Sequence, residues 1–115
     1  MTIEEYFIDY LASELGGGIP VKGSVPHPMP PEFVTVEKTG GSEADLIPTA
    51  QIHVQCWSSS RAAAAALSDR VTAIMLASPA YAPISSCALS SSYNNPDLTA
   101  DKPRYSASFE VVYLF

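Results

Sequence analysis

A chain of 115 residues, 47% of them hydrophobic, is one domain long and can bury about two-thirds of the surface its unfolded form exposes, which excludes wholesale disorder. Twelve acidic side chains against six basic ones leave a net charge of −6, and the six cations (Lys22, Lys38, Arg61, Arg70, Lys102, Arg104) are scattered along the sequence. That excludes the clustered cations that bind nucleic acid by displacing counterions, or that hold an anionic membrane. The two cysteines, Cys56 and Cys87, are too few for a disulfide framework. The opening "MTIEEYF" is acidic where a secretory leader needs basic residues. No apolar run approaches the roughly 18 residues of a membrane span. The expectation is a soluble, cytoplasmically made protein with free, buried thiols and no membrane partner.

The first predicted element is a helix. Thr2 with Glu5 makes a capping box, Ile3, Phe7, Tyr10 and Leu11 form one apolar stripe, and Gly16-Gly17-Gly18 end it. Residues 19 to 31, "IPVKGSVPHPMPP", are proline-punctuated loop, with a short extended piece between Val21 and Val25. "FVTVEK", 33 to 38, alternates as a strand, and "TGGSEADLIP", 39 to 48, reads as a loop longer than a hairpin needs. The next strand, "TAQIHVQCW" (49 to 57), points Ala50, Ile52, Val54 and Cys56 one way and Thr49, Gln51, His53, Gln55 and Trp57 the other.

A second helix spans 60 to 77 with Ala63, Leu67, Val71, Ile74 and Met75 inward. Its alanine run, 62 to 66, gives high helix propensity and a slim surface that a sheet can approach closely. Pro79 and Pro83 stop it. Strands within 84 to 93 and over 104 to 115 follow, joined by the turn-rich "NNPDLTADKP". Helix, strand, strand, helix, strand, strand in one domain, 1 to 115, predicts an α+β fold: a mainly antiparallel four-stranded sheet with both helices on one face.

Side chains with chemical potential favour structural readings. His53 and Cys56 lie three apart on a strand and face opposite sides, so they form no local dyad. The histidines and cysteines lack metal-ligand spacing, and Glu43 with Asp45 offers too few oxygens for calcium. Ser58, Ser59 and Ser60 precede a helix, where a serine oxygen caps an orphan N–H, and no GxSxG or SxxK is present. "GGGIP" follows a helix and lacks the end of a phosphate loop. Neither a catalytic residue nor a cofactor is assigned. Arg61 opposes the dipole of the helix it starts, which a carboxylate partner on another subunit would offset.

Three stretches, "PEFVTVEKTGG" (31 to 41), "IHVQCWSSSRAAAAAL" (52 to 67) and "PRYSASFEVVY" (103 to 113), resemble the small tail terminator, or tail completion, proteins of long-tailed bacteriophages. The strand ending in Cys-Trp and running into a Ser-Arg-Ala helix is the most distinctive piece. The resemblance implies a structural virion protein of α+β fold with no enzymatic activity. It would form a ring, commonly a hexamer, on the last ring of the tail tube, at the head-proximal end of the tail. Its partners would be copies of itself, the tail tube protein and the head-side connector, with DNA passing through the channel without sequence-specific binding. A connector or neck protein of the same particle is the neighbouring alternative. A small enzyme or ligand-binding domain using His53, Arg61 and Arg104 is the alternative from another class. On the ring reading, the loop residues Thr39, Gly40, Gly41, Glu43 and Asp45, together with Asp101, are the expected contacts with a neighbouring subunit or the tube. Trp57, Arg61 and Arg104 join them from around the strand-to-helix joint.

Overall fold

The computed structural model describes residues 1–42 and 47–115. Helix α1 (Ile3–Leu15) opens the chain, and Thr2 caps it by accepting the Glu5 N–H at 3.1 Å. Ile3, Phe7, Leu11 and Leu15 are its buried stripe. It ends where Gly16, Gly17 and Gly18 all take positive φ, a run that side-chain-bearing residues rarely adopt. Then come β1 (Val21–Lys22), β2 (Phe33–Ser42), β3 (Thr49–Trp57), α2 (Arg61–Leu76), a short 3-10 turn at Ser78–Ala80, β4 (Ile84–Asn94) and β5 (Arg104–Tyr113).

The α+β class and the two helices are as the sequence predicts, but the sheet has five strands in the order β1-β2-β3-β5-β4. The additional strand is β1, parallel to β2 with Val21 opposite Val34, while the other pairs are antiparallel. The four-stranded antiparallel expectation is therefore corrected to a five-stranded mixed sheet. Two residues are too short to show a period. What fixes them is tertiary: Val21 is buried beside α1, and the Val34 N–H donates to the Pro20 carbonyl at 2.9 Å.

A second correction concerns 39 to 48. Strand β2 runs on to Ser42, so Thr39, Gly40 and Gly41 are strand and not loop. The register with β3 slips by one residue between Lys38 and Gly40, which makes a bulge at Thr39. Glu43 and Asp45 lie outside the described residues. Gly41 has a steric reason to be glycine: a Cβ there would sit 2.6 Å from the Thr49 carbonyl oxygen.

Alternation along β3 is as predicted, with Ala50, Ile52, Val54 and Cys56 fully buried. They form one core with Val34 and Val36 of β2, Ala107, Phe109 and Val111 of β5, and the inner stripes of both helices, so both helices cover the same face. On α2 the buried residues are Ala64, Leu67, Ser68, Val71 and Met75. Ala64 therefore takes the innermost place expected of Ala63, and Ile74 is only partly buried. The small Ala64 and Ser68 let the helix axis approach the sheet. The helices are also tied to each other: the Tyr10 hydroxyl donates to the Ile74 carbonyl at 2.7 Å, and Arg70 donates to the Leu15 carbonyl at the end of α1. Burial, with Glu14 nearby, pushes the Tyr10 hydroxyl up to about 12, so it stays a donor at physiological pH. No helix among the described residues is long and apolar enough to cross a membrane.

Gly41→Ala is expected to destabilise the protein by about 1–3 kcal/mol, the usual cost of forcing extra volume into a packed site. Thermal melts of the two proteins check it. An unchanged midpoint would mean the hairpin end relaxes freely.

Candidate functional site

The joint between β3 and α2 holds most of the residues singled out in the sequence. Trp57 closes β3 and pairs across the hairpin with Phe33. Both side chains leave the open, helix-free side of the sheet, yet both are buried, Trp57 to 1% exposure. Their rings stack at 4.6 Å and 14°, and the Arg104 guanidinium lies over the indole, 5.3 Å from its centroid. The result is a second, small apolar centre outside the main core, with a cation as its lid. The Trp57 indole N–H has no acceptor among the described residues.

The segment from 95 to 103 is the rest of the cover. Arg104 donates through Nε to the Asn95 carbonyl at 2.7 Å and stands 3.9 Å from the Asp97 carboxylate. Asp97 in turn accepts the N–H groups of Thr99 and Ala100, both at 3.1 Å, the local ring that aspartate makes in turns. Lys102 reaches across to the Pro31 carbonyl, and the Ser58 N–H donates to the Pro103 carbonyl. Asp101 takes positive φ at the tip and is exposed.

The serines divide their work. Ser60 is the N-cap, its Oγ accepting the Ala63 N–H at 3.1 Å. Ser58 is buried and donates to the Glu32 carboxylate at 2.9 Å, which anchors the joint to the segment before β2. Arg61 is exposed, with no hydrogen bond or ion pair among the described residues. It lines a cavity of about 400 Å³ with Ser59, Asn94, Asp97, Asp101 and Lys102. Neither His53 nor Arg104 lines that cavity, so the three residues of the enzyme alternative share no pocket there.

His53 sits on the open face, half-buried, with Nδ1 at 3.0 Å from the Ser108 hydroxyl. It is one rung of a polar ladder between β3 and β5, with Gln51 to Glu110 and Gln55 to Ser106 on either side. Burial lowers the His53 pKa below its ordinary value near 6.5, against the pull of Glu37 and with help from Arg104. Cys56 lies on the other face, where burial pushes its thiol up to about 12, so it is held as an unreactive thiol. No cluster of three or more His, Cys, Asp or Glu side chains able to hold a metal occurs among the described residues.

The structure thus gathers Trp57, Arg104 and, at the margin, Arg61 and Asp101 around one joint. It places Thr39, Gly40 and Gly41 at the far end of the β2–β3 hairpin, where Ser42 pairs with Thr49. Trp57 offers no exposed surface, so any contact with another chain passes through the residues above it. Phe33, Glu32, Asn95 and Asp97 complete the joint and were not singled out in the sequence. The run Asn94-Asn95-Pro96-Asp97 carried the signal for the last two, because asparagine and aspartate before and after a proline favour side-chain-closed turns. Comparison with models of known protein families finds none that matches the chain, and no curated protein matches it either.

Trp57→Ala is expected to cost about 3 kcal/mol, the penalty of emptying a buried aromatic site. Chemical denaturation followed by far-ultraviolet dichroism reads it, since Trp57 is the sole tryptophan. A midpoint equal to that of the parent would mean the Phe33–Trp57 stack contributes nothing.

The lowered His53 pKa also makes stability depend on pH. Below about 6.5 the unfolded chain binds a proton that the folded chain resists, so stability should rise with pH between the folded pKa and that value. His53→Gln should flatten this part of the profile, read from denaturation midpoints at stepped pH. An equally steep profile in the variant would assign the dependence elsewhere.

Proposed function

We propose that this chain is a tail terminator of a long-tailed bacteriophage: a structural protein that closes the tail tube as a ring, ends its polymerisation and presents the tail-side surface of the head–tail joint. Support comes first from the sequence resemblance. Its three stretches fall on β2, on β3 with the start of α2, and on β5, which are adjacent strands around the Trp57 joint.

The observation that carries the reading is the asymmetry of the sheet. Both helices cover one face, and the other is a field of amides and hydroxyls: Gln51, His53, Gln55, Ser106 and Ser108, joined side chain to side chain. Its exposed charges are the acids Glu37 and Glu110 and, at the margin on β1, the cation Lys22 beside Thr35, while Arg104 is committed to Trp57 and Asn95. In a ring with the helices outward, this face lines the channel. It gives DNA no run of cations to bind, so the duplex slides past a polar wall of sparse, mixed charge. The exposed Arg61 and Asp101, beside one cavity, are suited to contacts between neighbouring subunits.

Mixing the purified protein with tail tubes tests this, with electron microscopy and mass measurement as readouts. The expected result is a ring of several chains seated on one end of each tube and no further tube growth. Tubes that stay uncapped and continue to grow would overturn the reading. Binding to isolated connectors but not to tubes would move the protein to the neck.

A further inference from the structure

The two edges of the sheet are protected very differently. On one side β1 covers Val34 and Thr35 of β2, and the next outward amide, that of Lys38, donates to the Glu4 carboxylate at 2.9 Å. On the other side β4 pairs, among the described residues, only with β5; its first residue, Ile84, is buried and donates its N–H to the Tyr81 carbonyl at 3.1 Å, and the outer edge is open beyond it, toward Asn94. Ser85, Ser86 and every residue from Ala88 to Asn94 are exposed, including Leu89 at 42% and Tyr93 at 47%. Free edges in single-chain proteins are usually blunted by lysine, proline or an inward charge, because unpaired N–H and C=O groups recruit another strand. β4 has none of these. Its bulges, where the register with β5 slips after Ile84 and after Leu89, leave Ser86–Leu89 as regular strand between them.

The charge pattern says what can approach. Each chain carries −6, so two copies repel over most of their surface. From Val71 to Pro96, however, the sequence holds no Asp, Glu, Lys, Arg or His. This uncharged run supplies β4 and the exposed Leu76 and Tyr81. It is the part of the chain where two acidic copies meet without facing carboxylates. The nearest acid across the sheet is Glu110, opposite Ala88 on β5. In an edge-to-edge pair the two Glu110 residues stand three strand spacings apart, about 14 Å, beyond the roughly 8 Å screening length of physiological salt.

We propose that the occupant of the β4 edge is the β4 of a second copy of this chain, paired antiparallel about a two-fold axis at Ala88. Cys87 of one copy then faces Leu89 of the other on the helix side, and the two sheets become one continuous sheet. An antiparallel strand meets its own image in the same register, which is the isologous contact from which most homo-oligomers are built. Such a contact is self-limiting: it gives a pair, the form of the free protein, and not a ring. It stands independently of the tail-terminator reading, whose ring needs a head-to-tail contact on other residues.

Sedimentation velocity of the full chain across the micromolar range tests the proposal, with two variants. The parent should sediment as a dimer. Leu89→Lys, at an exposed position, should weaken the dimer at least tenfold while leaving the far-ultraviolet dichroism, and the melt at concentrations where both proteins are monomeric, unchanged. Ala88→Cys in a Cys87→Ser background should form a disulfide-linked dimer under mild oxidation, because residues facing each other across an antiparallel pair stand with Cβ atoms about 5 Å apart. A monomeric parent, a dimer indifferent to Leu89→Lys, or an Ala88→Cys protein that never crosslinks would each overturn it. A ring-sized particle without the Ala88 crosslink would overturn this contact and leave the ring reading standing. A crosslinked pair that never caps tubes would do the reverse.

Discussion

The fold hangs on the period-two alternation of β3. This strand is paired along its whole length on both sides, to β2 and to β5, so its register is fixed twice. One set of its side chains, Ala50 to Cys56, is sealed under both helices; a slip of one residue would drive Gln51, His53 and Gln55 into that core. Burying those polar groups without partners would cost far more than a slipped ladder could recover. The same register therefore builds the open face, because it sets Gln51, His53 and Gln55 opposite Glu110, Ser108 and Ser106. Core and polar ladder are two sides of one constraint.

The exception to the alternation is what gives the molecule its second centre. Trp57 points to the polar side and is buried all the same, because Phe33 stacks opposite it and Arg104, held by Asn95, lies over the indole. Arg104 serves as a lid here: its guanidinium stacks on the indole while Nε donates to the Asn95 carbonyl and the Asp97 carboxylate stands 3.9 Å away. Three segments far apart in sequence, before β2, after β3 and before β5, are thereby fixed relative to one another. Chemistry suggested by arginine, serine and histidine in this stretch is absorbed by structure: a lid, a cap, an anchor and a ladder rung.

Much of this was legible in the sequence, and the parts that were not share a cause. The helices, β3 and β5 announce themselves through apolar periods and caps at Thr2 and Ser60, which are local. The capping role of Ser60 and the separation of His53 from Cys56 likewise follow from neighbours in the chain, whereas the bond from Ser58 to Glu32 does not. The extended piece starting at Val21 was legible, but its place as a strand of the sheet was not, because a two-residue strand has no period and is fixed through Pro20, Val21 and α1. The continuation of β2 through Gly40 and Gly41 was hidden by the bulge at Thr39, since glycine in a strand looks like the start of a turn until the close approach of the Thr49 carbonyl is known. The burial of Trp57 depended on a hairpin register and a distant loop, neither visible in its own surroundings.

The chain is acidic, which favours dispersal, yet it keeps a long strand edge without any charge. A protein selected only for solubility would place a lysine on β4, at a cost near zero on so exposed a strand. The uncharged run from Val71 to Pro96 is thus better understood as a surface kept free of repulsion than as a hydrophobic one, since serines outnumber its large apolar residues on β4. The proposed contact there would rely on backbone hydrogen bonds between strand edges, which are directional and fix geometry, while the acidity elsewhere disfavours other approaches. On that proposal, specificity comes from where charge is absent as much as from where it is placed.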